Sequence, residues 1–222
     1  SSLVGSEMCI RDRTRYYVDG FERMPKNEED RFFELVSCRK TRIPVQHLTG
    51  VQEFMGYEFA VNEHVLVPRQ DTEILVEEAE KRLLLMKKEN PVKVLDMCTG
   101  SGCILLSVAL ERKLSKGIGV DISEKALAVA KANQEALAPE NVTLIQSDLF
   151  ENAGKYLMEQ SVDIVVSNPP YICTEVIDSL SEEVRLHDPV LALDGHEDGL
   201  YFYRKITKQA KSFLKPGGRL FY

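Results

Sequence analysis

The sequence predicts an α/β domain on a parallel sheet, preceded by a short helical segment and a β-hairpin. Three observations carry that expectation. From residue 92 onward, short apolar runs alternate with amphipathic helical patterns, as strand–helix–strand crossovers require. A glycine turn, Thr99-Gly100-Ser101-Gly102, joins the first of these strands to its helix. Asn168-Pro169-Pro170-Tyr171 closes another buried run, Val162 to Ser167.

Residues 1–13, SSLVGSEMCIRDR, share no pattern with the rest of the chain and look like translated adapter sequence. They are set aside as a non-native extension. Residues 14–50 read as a partial N-terminal helical domain. Phe21, Phe32, Phe33, Leu35 and Val36 lie among charges, and Asn27-Glu28-Glu29-Asp30 suits a helix start. That stretch is too short to bury its own core. Residues 51–67 read as a linking hairpin. Phe54, Tyr57, Phe59, Val61, Val65 and Val67 alternate with polar residues, Gly56 and Asn62-Glu63 can turn the chain, and Pro68 ends it.

The main domain is expected over 68–222. An amphipathic helix over 71–89 opens it, with Asp71 or Thr72 as cap, Glu73 in the first turn and Lys87-Lys88 in the last. Strands are expected at 92–97, 117–121, 142–146 and 162–167. Helices are expected at 103–113, at 123–137 with Ser123 as cap, and near 199–213. Leu214 to Tyr222 reads as a helix exit, a turn and a strand that breaks off. The domain is therefore expected to be C-terminally truncated, with an uncovered sheet edge.

Composition narrows the class. A chain of 222 residues suits one mid-sized domain with a small appendage. No apolar run approaches the roughly 20 residues of a membrane span, and no secretory signal is evident, which favours the cytoplasm. The net charge of −7 counts against a grip on nucleic-acid phosphates and for a protein or small-molecule substrate. The five cysteines (Cys9, Cys38, Cys98, Cys103, Cys173) form no CxxC pair and are expected to be reduced and mostly buried. The four histidines are scattered, so no metal site is expected.

The glycine turn sits where parallel strands expose their carboxyl ends, and its glycines let the backbone approach a ligand at a helix N-terminus. Asp121 ends the second strand 19 residues after Gly102, a spacing that places a carboxylate near ribose hydroxyls. An adenosine-containing cofactor is therefore expected against Asp96, Cys98, Thr99, Gly100, Ser101, Gly102 and Asp121. A dinucleotide fingerprint would need a third glycine, and Leu105 stands there. Asp96 is also unwelcome beside a pyrophosphate, and tolerable beside the cations of S-adenosylmethionine. Asp148, with Leu149 beside it, follows the third strand and suits the adenine amine and ring. Asn168 follows a buried strand, is stiffened by Pro169 and Pro170 and is closed by Tyr171. It can hold a planar –NH2 group with its nitrogen facing an electrophile.

Several segments together are specific. They are Gln46-His47-Leu48-Thr49-Gly50 with Glu53 to Gly56, Val67 to Glu73, Asp96 to Gly102, Ser167 to Tyr171, and Asp188 to Gly195 with Asp198-Gly199-Leu200. In these the chain resembles the PrmC/HemK family of protein-(glutamine-N5) methyltransferases. The resemblance implies an N-terminal helical domain, a hairpin and a Rossmann-like class I methyltransferase domain using S-adenosylmethionine. It implies, as acceptor, the glutamine of the Gly-Gly-Gln loop of peptide chain release factors. Cys98 departs from a frequent family glycine, and the family's sheet continues beyond Tyr222. In the expected mechanism the Asn168 side-chain oxygen and the Pro169 carbonyl each accept one amide N–H, Pro170 stiffens the pair, and Tyr171 packs on the amide. Arg69 reads equally as a cleft residue or as a surface arginine. The competing expectations are a nucleic-acid amino-methyltransferase and an inactive cofactor-binding fragment.

Overall fold

The computed structural model describes residues 25–86, 92–112, 114 and 116–222. The adapter-like segment 1–13, Phe21 and the expected helix end at Lys87-Lys88 lie outside the described residues. The described residues begin with α1 (Lys26–Lys40) and α2 (Val45–Thr49), then the hairpin β1 (Val51–Phe54) and β2 (Tyr57–Ala60). A 3-10 turn (Gln70–Thr72) leads into α3 (Glu73–Leu84). The alternating part is β3 (Lys93–Met97), α4 (Cys103–Glu111), β4 (Lys116–Asp121), α5 (Glu124–Leu137), β5 (Val142–Gln146) and β6 (Val162–Ser167). Three short helices come next, α6 (Thr174–Ile177), α7 (Glu182–His187) and α8 (Val190–Leu193), before α9 (Tyr201–Phe213) and β7 (Leu214–Phe221).

α1 has Glu28 and Glu29 in its first turn and Arg39 and Lys40 in its last, which complements the helix dipole. Among the described residues it buries none fully, and Arg39 at its end donates to Glu183 Oε2. α2 stops at Gly50, whose φ of 76° makes the left-handed cap that closes a helix end.

The hairpin is tighter than the alternating pattern implies. Met55 (φ 52°) and Gly56 (φ 76°) make a two-residue turn, and the ladder runs only from Val51↔Ala60 to Phe54↔Tyr57. Val61, Val65 and Val67 are buried without strand pairing, and Val61 and Val65 pack with Ala126 and Val129 of α5. Their alternation reflects burial of an irregular segment over a helix.

All four strand pairings in the main sheet are parallel, and the order is β5-β4-β3-β6-β7. The chain runs from β3 out to β5, returns, and restarts at β6 on the other side of β3. The β3/β6 junction is therefore the switch point at which doubly wound sheets bind ligands. β3 shows how the two faces are served. Val94 enters the layer with Leu105, Leu106 and Val76, while Leu95 and Met97 enter the opposite layer with Ile206 and Ala210. All six residues of β6 are buried, as a central parallel strand requires.

β7 begins directly after α9, where the sequence reads as an exit and a turn. Gly217 (φ 81°) and a register shift between Val162 and Ile164 absorb the irregularity, so the strand still pairs with β6 on both sides of the shift. Of the four described cysteines only Cys103 is buried, and Cys38 is exposed. Among the described residues no helix is long and apolar enough to cross a membrane.

One buried side chain ties the hairpin to the sheet. Asn133 on α5 accepts from Ala60 N (2.7 Å) and donates to Ala60 O (3.1 Å) and Ser101 O (2.9 Å). Asn133→Ala removes the partner of all three backbone groups, of which Ser101 O is buried. It is expected to cost about 1–3 kcal/mol, seen as a lower midpoint in urea unfolding.

Candidate active site

The turn after β3 curls by three left-handed residues, Cys98 (φ 59°), Gly100 (φ 56°) and Gly102 (φ 81°). Cys98 takes a conformation that favours glycine, and the half-buried side chain is accommodated there. Burial pushes its thiol pKa well above the usual value. Gly102 caps α4, and a Cβ there would stand 3.0 Å from Leu106 Cδ1. Thr99 N–H donates to Val120 O at 2.9 Å, which sews the turn to β4.

Asp121 ends β4 and ties the glycine turn to the start of α5. Its Oδ2 accepts from Gly100 N and its Oδ1 from Ser123 N, each at 2.9 Å. Each oxygen keeps further accepting capacity. Burial raises its pKa, against the opposing pull of the Ser123, Gly100 and Ile122 N–H groups. Asp96 lies behind the turn. It is fully buried, its Oδ2 accepts from Thr99 Oγ1 at 2.6 Å, and its Oδ1 has no hydrogen-bond partner.

β6 delivers the Asn-Pro-Pro-Tyr loop beside this turn. Met97 pairs with Ser167, and Ser167 Oγ donates to Met97 O at 2.7 Å. Asn168 Nδ2 donates to Thr72 Oγ1 at 3.3 Å, which turns the side-chain oxygen away from that contact. Pro169 and Pro170 are buried, and Tyr171 is exposed. A clasp holds the loop from behind. Ile172 N–H donates to Leu193 O, Gly195 N–H to Ile172 O and Thr174 N–H to His196 O. Gly195 and Gly199 are glycines because Tyr171 backbone occupies their Cβ positions.

Two adjoining clefts open at this edge. The first, about 270 Å³, is lined by Cys98, Thr99, Gly100, Ser101, Asp121, Asp148, Leu149, Asn168 and Pro170. The second, about 470 Å³, is lined by Tyr171, Arg69, Asp188, Val184, Leu180 and Tyr222, and again by Asn168 and Thr72. That volume lies within the roughly 300–1,000 Å³ usual for small-ligand sites. Asn168 is thus common to both. Of the expected site residues, Asp96, Gly102 and Pro169 line neither cleft. Asp96 is screened by Thr99, Gly102 is consumed as a helix cap, and Pro169 is buried under the loop.

The structure adds residues that the sequence reading passed over. Ile122, His196, Tyr201, Phe202 and Lys205 are among the further residues that line the first cleft. Acidic and aromatic neighbours of a glycine turn are readable as a series, but most of these come from the start of α9 and have no fixed spacing to the turn. Arg69 lines both clefts and pairs with Asp188 (3.2 Å), which joins the Val67–Glu73 segment to the Asp188–Gly195 segment.

The donor set fits S-adenosylmethionine. Carboxylates at Asp121 and Asp148 suit hydroxyls and amines, Arg69 and Lys205 suit a carboxylate, and Ile122, Leu149 and Phe202 suit an adenine ring. Asn168 at the second cleft suits a planar amine acceptor. Fold and site together define a class I S-adenosylmethionine-dependent methyltransferase. The methyltransferase-domain family matches residues 88–222, and the PrmC N-terminal domain family matches residues 4–50. The release factor glutamine methyltransferase of Clostridium acetobutylicum is 40% identical over 223 residues, covering 100% of this chain and 76% of that protein. Those of Geobacter sulfurreducens (41%; 94% of this chain, 70% of that one) and Bacillus subtilis (39%; 92% and 70%) are similarly near. The chain belongs to the release factor glutamine methyltransferase family.

Two outcomes are expected. Burial pushes the Asp96 carboxyl from 3.8 up to about 7, against the Thr99 hydrogen bond. Between these values the folded state binds the extra proton, so stability falls as pH rises from about 4 to about 7 and then levels. Asp96→Asn should flatten that slope in urea melts run across pH. Gly199→Ala forces a methyl into the Tyr171 carbonyl oxygen at a φ of 71°. It should cut kcat about tenfold or more while secondary structure by circular dichroism is retained, because a misplaced reactive loop loses rate steeply.

Proposed function

We infer that this chain transfers a methyl group from S-adenosylmethionine to the side-chain amide nitrogen of a glutamine in a peptide chain release factor, the glutamine being that of the Gly-Gly-Gln loop. The observation that carries this reading is Asn168, shared by both clefts and with its –NH2 tethered to Thr72 Oγ1. The tether leaves Oδ1 as an acceptor at the junction. The names of the family's members supply the acceptor's identity, and the net charge of −7 accords with a protein acceptor. Release factors work on ribosomes, so the reaction belongs in the cytoplasm.

An amide nitrogen is a poor nucleophile because its lone pair is delocalised into the carbonyl. S-adenosylmethionine, when bound, supplies a methyl group activated by its sulfonium. The chain's residues then supply position and electrostatics. Asn168 Oδ1 accepts one N–H of the acceptor amide, so the nitrogen is held while its electron density rises. Pro169 has no N–H to compete, and Pro170 stiffens the loop behind Asn168. Tyr171 lies along the second cleft and packs on the amide plane. In the first cleft Asp121 would hold the ribose hydroxyls, and Asp148 with Leu149 would hold the adenine. Well-placed reactants can lower a barrier by up to about 7–11 kcal/mol, which is ample without covalent chemistry on the enzyme.

Incubation with S-adenosylmethionine and a release factor should add one methyl to the Gly-Gly-Gln glutamine, read by peptide mass spectrometry. Asn168→Ala should lower kcat by about 100-fold or more. Cofactor affinity by calorimetry should stay within about threefold, because the residue acts at the amide. Retention of most activity by a folded Asn168→Ala protein would sink this role for Asn168.

A further inference from the structure

α7 has six residues, Glu182–His187, too few to persist without tertiary support. Its position still sets part of the second cleft. Val184 lines that cleft, and Asp188, directly after the helix, pairs with Arg69. The Asp188 side chain is 1% exposed and its Oδ1 has no hydrogen-bond partner. A shift of α7 would part this carboxylate from its cationic partner, Arg69.

The support comes from the end of α1. Arg39 Nη2 donates to Glu183 Oε2 at 2.6 Å while Arg39 Nη1 donates to Ile43 O at 3.2 Å. Arg42 Nε stands 3.5 Å from Glu182 Oε2, and His187 Nε2 lies 3.1 Å from Thr41 O. Isolated surface ion pairs contribute little, about 0–1 kcal/mol each. Here three contacts converge from residues 39–42 onto one short helix. Among the described residues neither α1 nor α7 buries a residue fully, and these three polar contacts join them.

We propose that the end of α1 is a positioning element for the acceptor cleft: Arg39, through Glu183, holds α7 so that Val184 and the Arg69–Asp188 pair form the wall on which the acceptor docks. The inference rests on the reading that the second cleft takes the acceptor glutamine. Arg39 and Glu183 touch neither the cofactor cleft nor the amide site, so they act through α7.

The test compares wild type, Arg39→Ala, Glu183→Ala and the exchanged pair R39E/E183R. Acceptor KM and kcat are measured with a purified release factor, and cofactor Kd by calorimetry. Each single variant should raise acceptor KM about 3–10-fold, the effect of roughly one kcal/mol of lost alignment. Cofactor Kd and kcat should stay within about twofold, and the exchanged pair should recover most of the KM, as a restored ion pair would. Unchanged KM in both single variants overturns the proposal, as does an equal loss of cofactor affinity. If wild type itself leaves release factors unmethylated, the functional reading fails instead. Hydrogen exchange over residues 182–188 then decides the bracket: faster exchange in Arg39→Ala supports it, and unchanged exchange overturns it.

Discussion

The register between β3 and β6 is the constraint on which the site depends. Met97 lies opposite Ser167, and both strands end there. The next residues of one strand are the cofactor turn, and the next residues of the other are Asn-Pro-Pro-Tyr. Neighbouring strands lie about 4.8 Å apart, so this pairing alone sets the two reactive loops side by side. A slip of one residue would send Leu95, Met97 and Val165 to the wrong layer. The two apolar layers therefore enforce the register, and the Ser167 hydroxyl on Met97 O pins it locally.

Around that pairing, the family-specific segments serve as mutual supports more than as direct ligands. Thr72 orients Asn168, and Arg69 pairs with Asp188, so the segment after the hairpin braces the Asn-Pro-Pro-Tyr loop and the segment that begins at Asp188. The stretch from Asp188 to Leu200 forms a wall behind Tyr171, with two glycines where backbone passes backbone. A rigid loop matters because an amide acceptor offers little intrinsic reactivity. The enzyme's contribution has to be geometric, and geometry needs support from more than one side.

Charge is handled with similar economy at the cofactor end. Asp121 is half-buried and satisfied by backbone N–H groups on both oxygens. Asp96 is buried with one oxygen unpaired and is pushed towards neutrality. The first carboxylate remains available to hydroxyl donors, while the second stiffens the turn through Thr99. Two acids near one glycine turn thus perform different work, and only their surroundings distinguish them.

Much of the fold is legible in the chain alone. Strand periodicity marks β5 and β6 at their observed bounds, and Ser123 caps α5 as expected, accepting from Ala126 N. These are local matters of pattern and capping, which a sequence carries by itself. The glycine turn, Asp121 and Asn168 are also legible, because strand ends in parallel sheets all face one edge. The end of the hairpin is not, since Val61, Val65 and Val67 alternate for burial and pair with no strand. Nor are Asp96's retreat behind Thr99, the Arg69–Asp188 link and the aromatic side of the cofactor cleft from α9. Those depend on which distant segments pack together, and Arg69 and Asp188 lie 119 residues apart. The sequence by itself determined the α/β order and which residue types stand at the strand ends. The tertiary structure alone decided which side chains share a cleft, because burial and long-range pairing depend on the whole packed core and leave no local period.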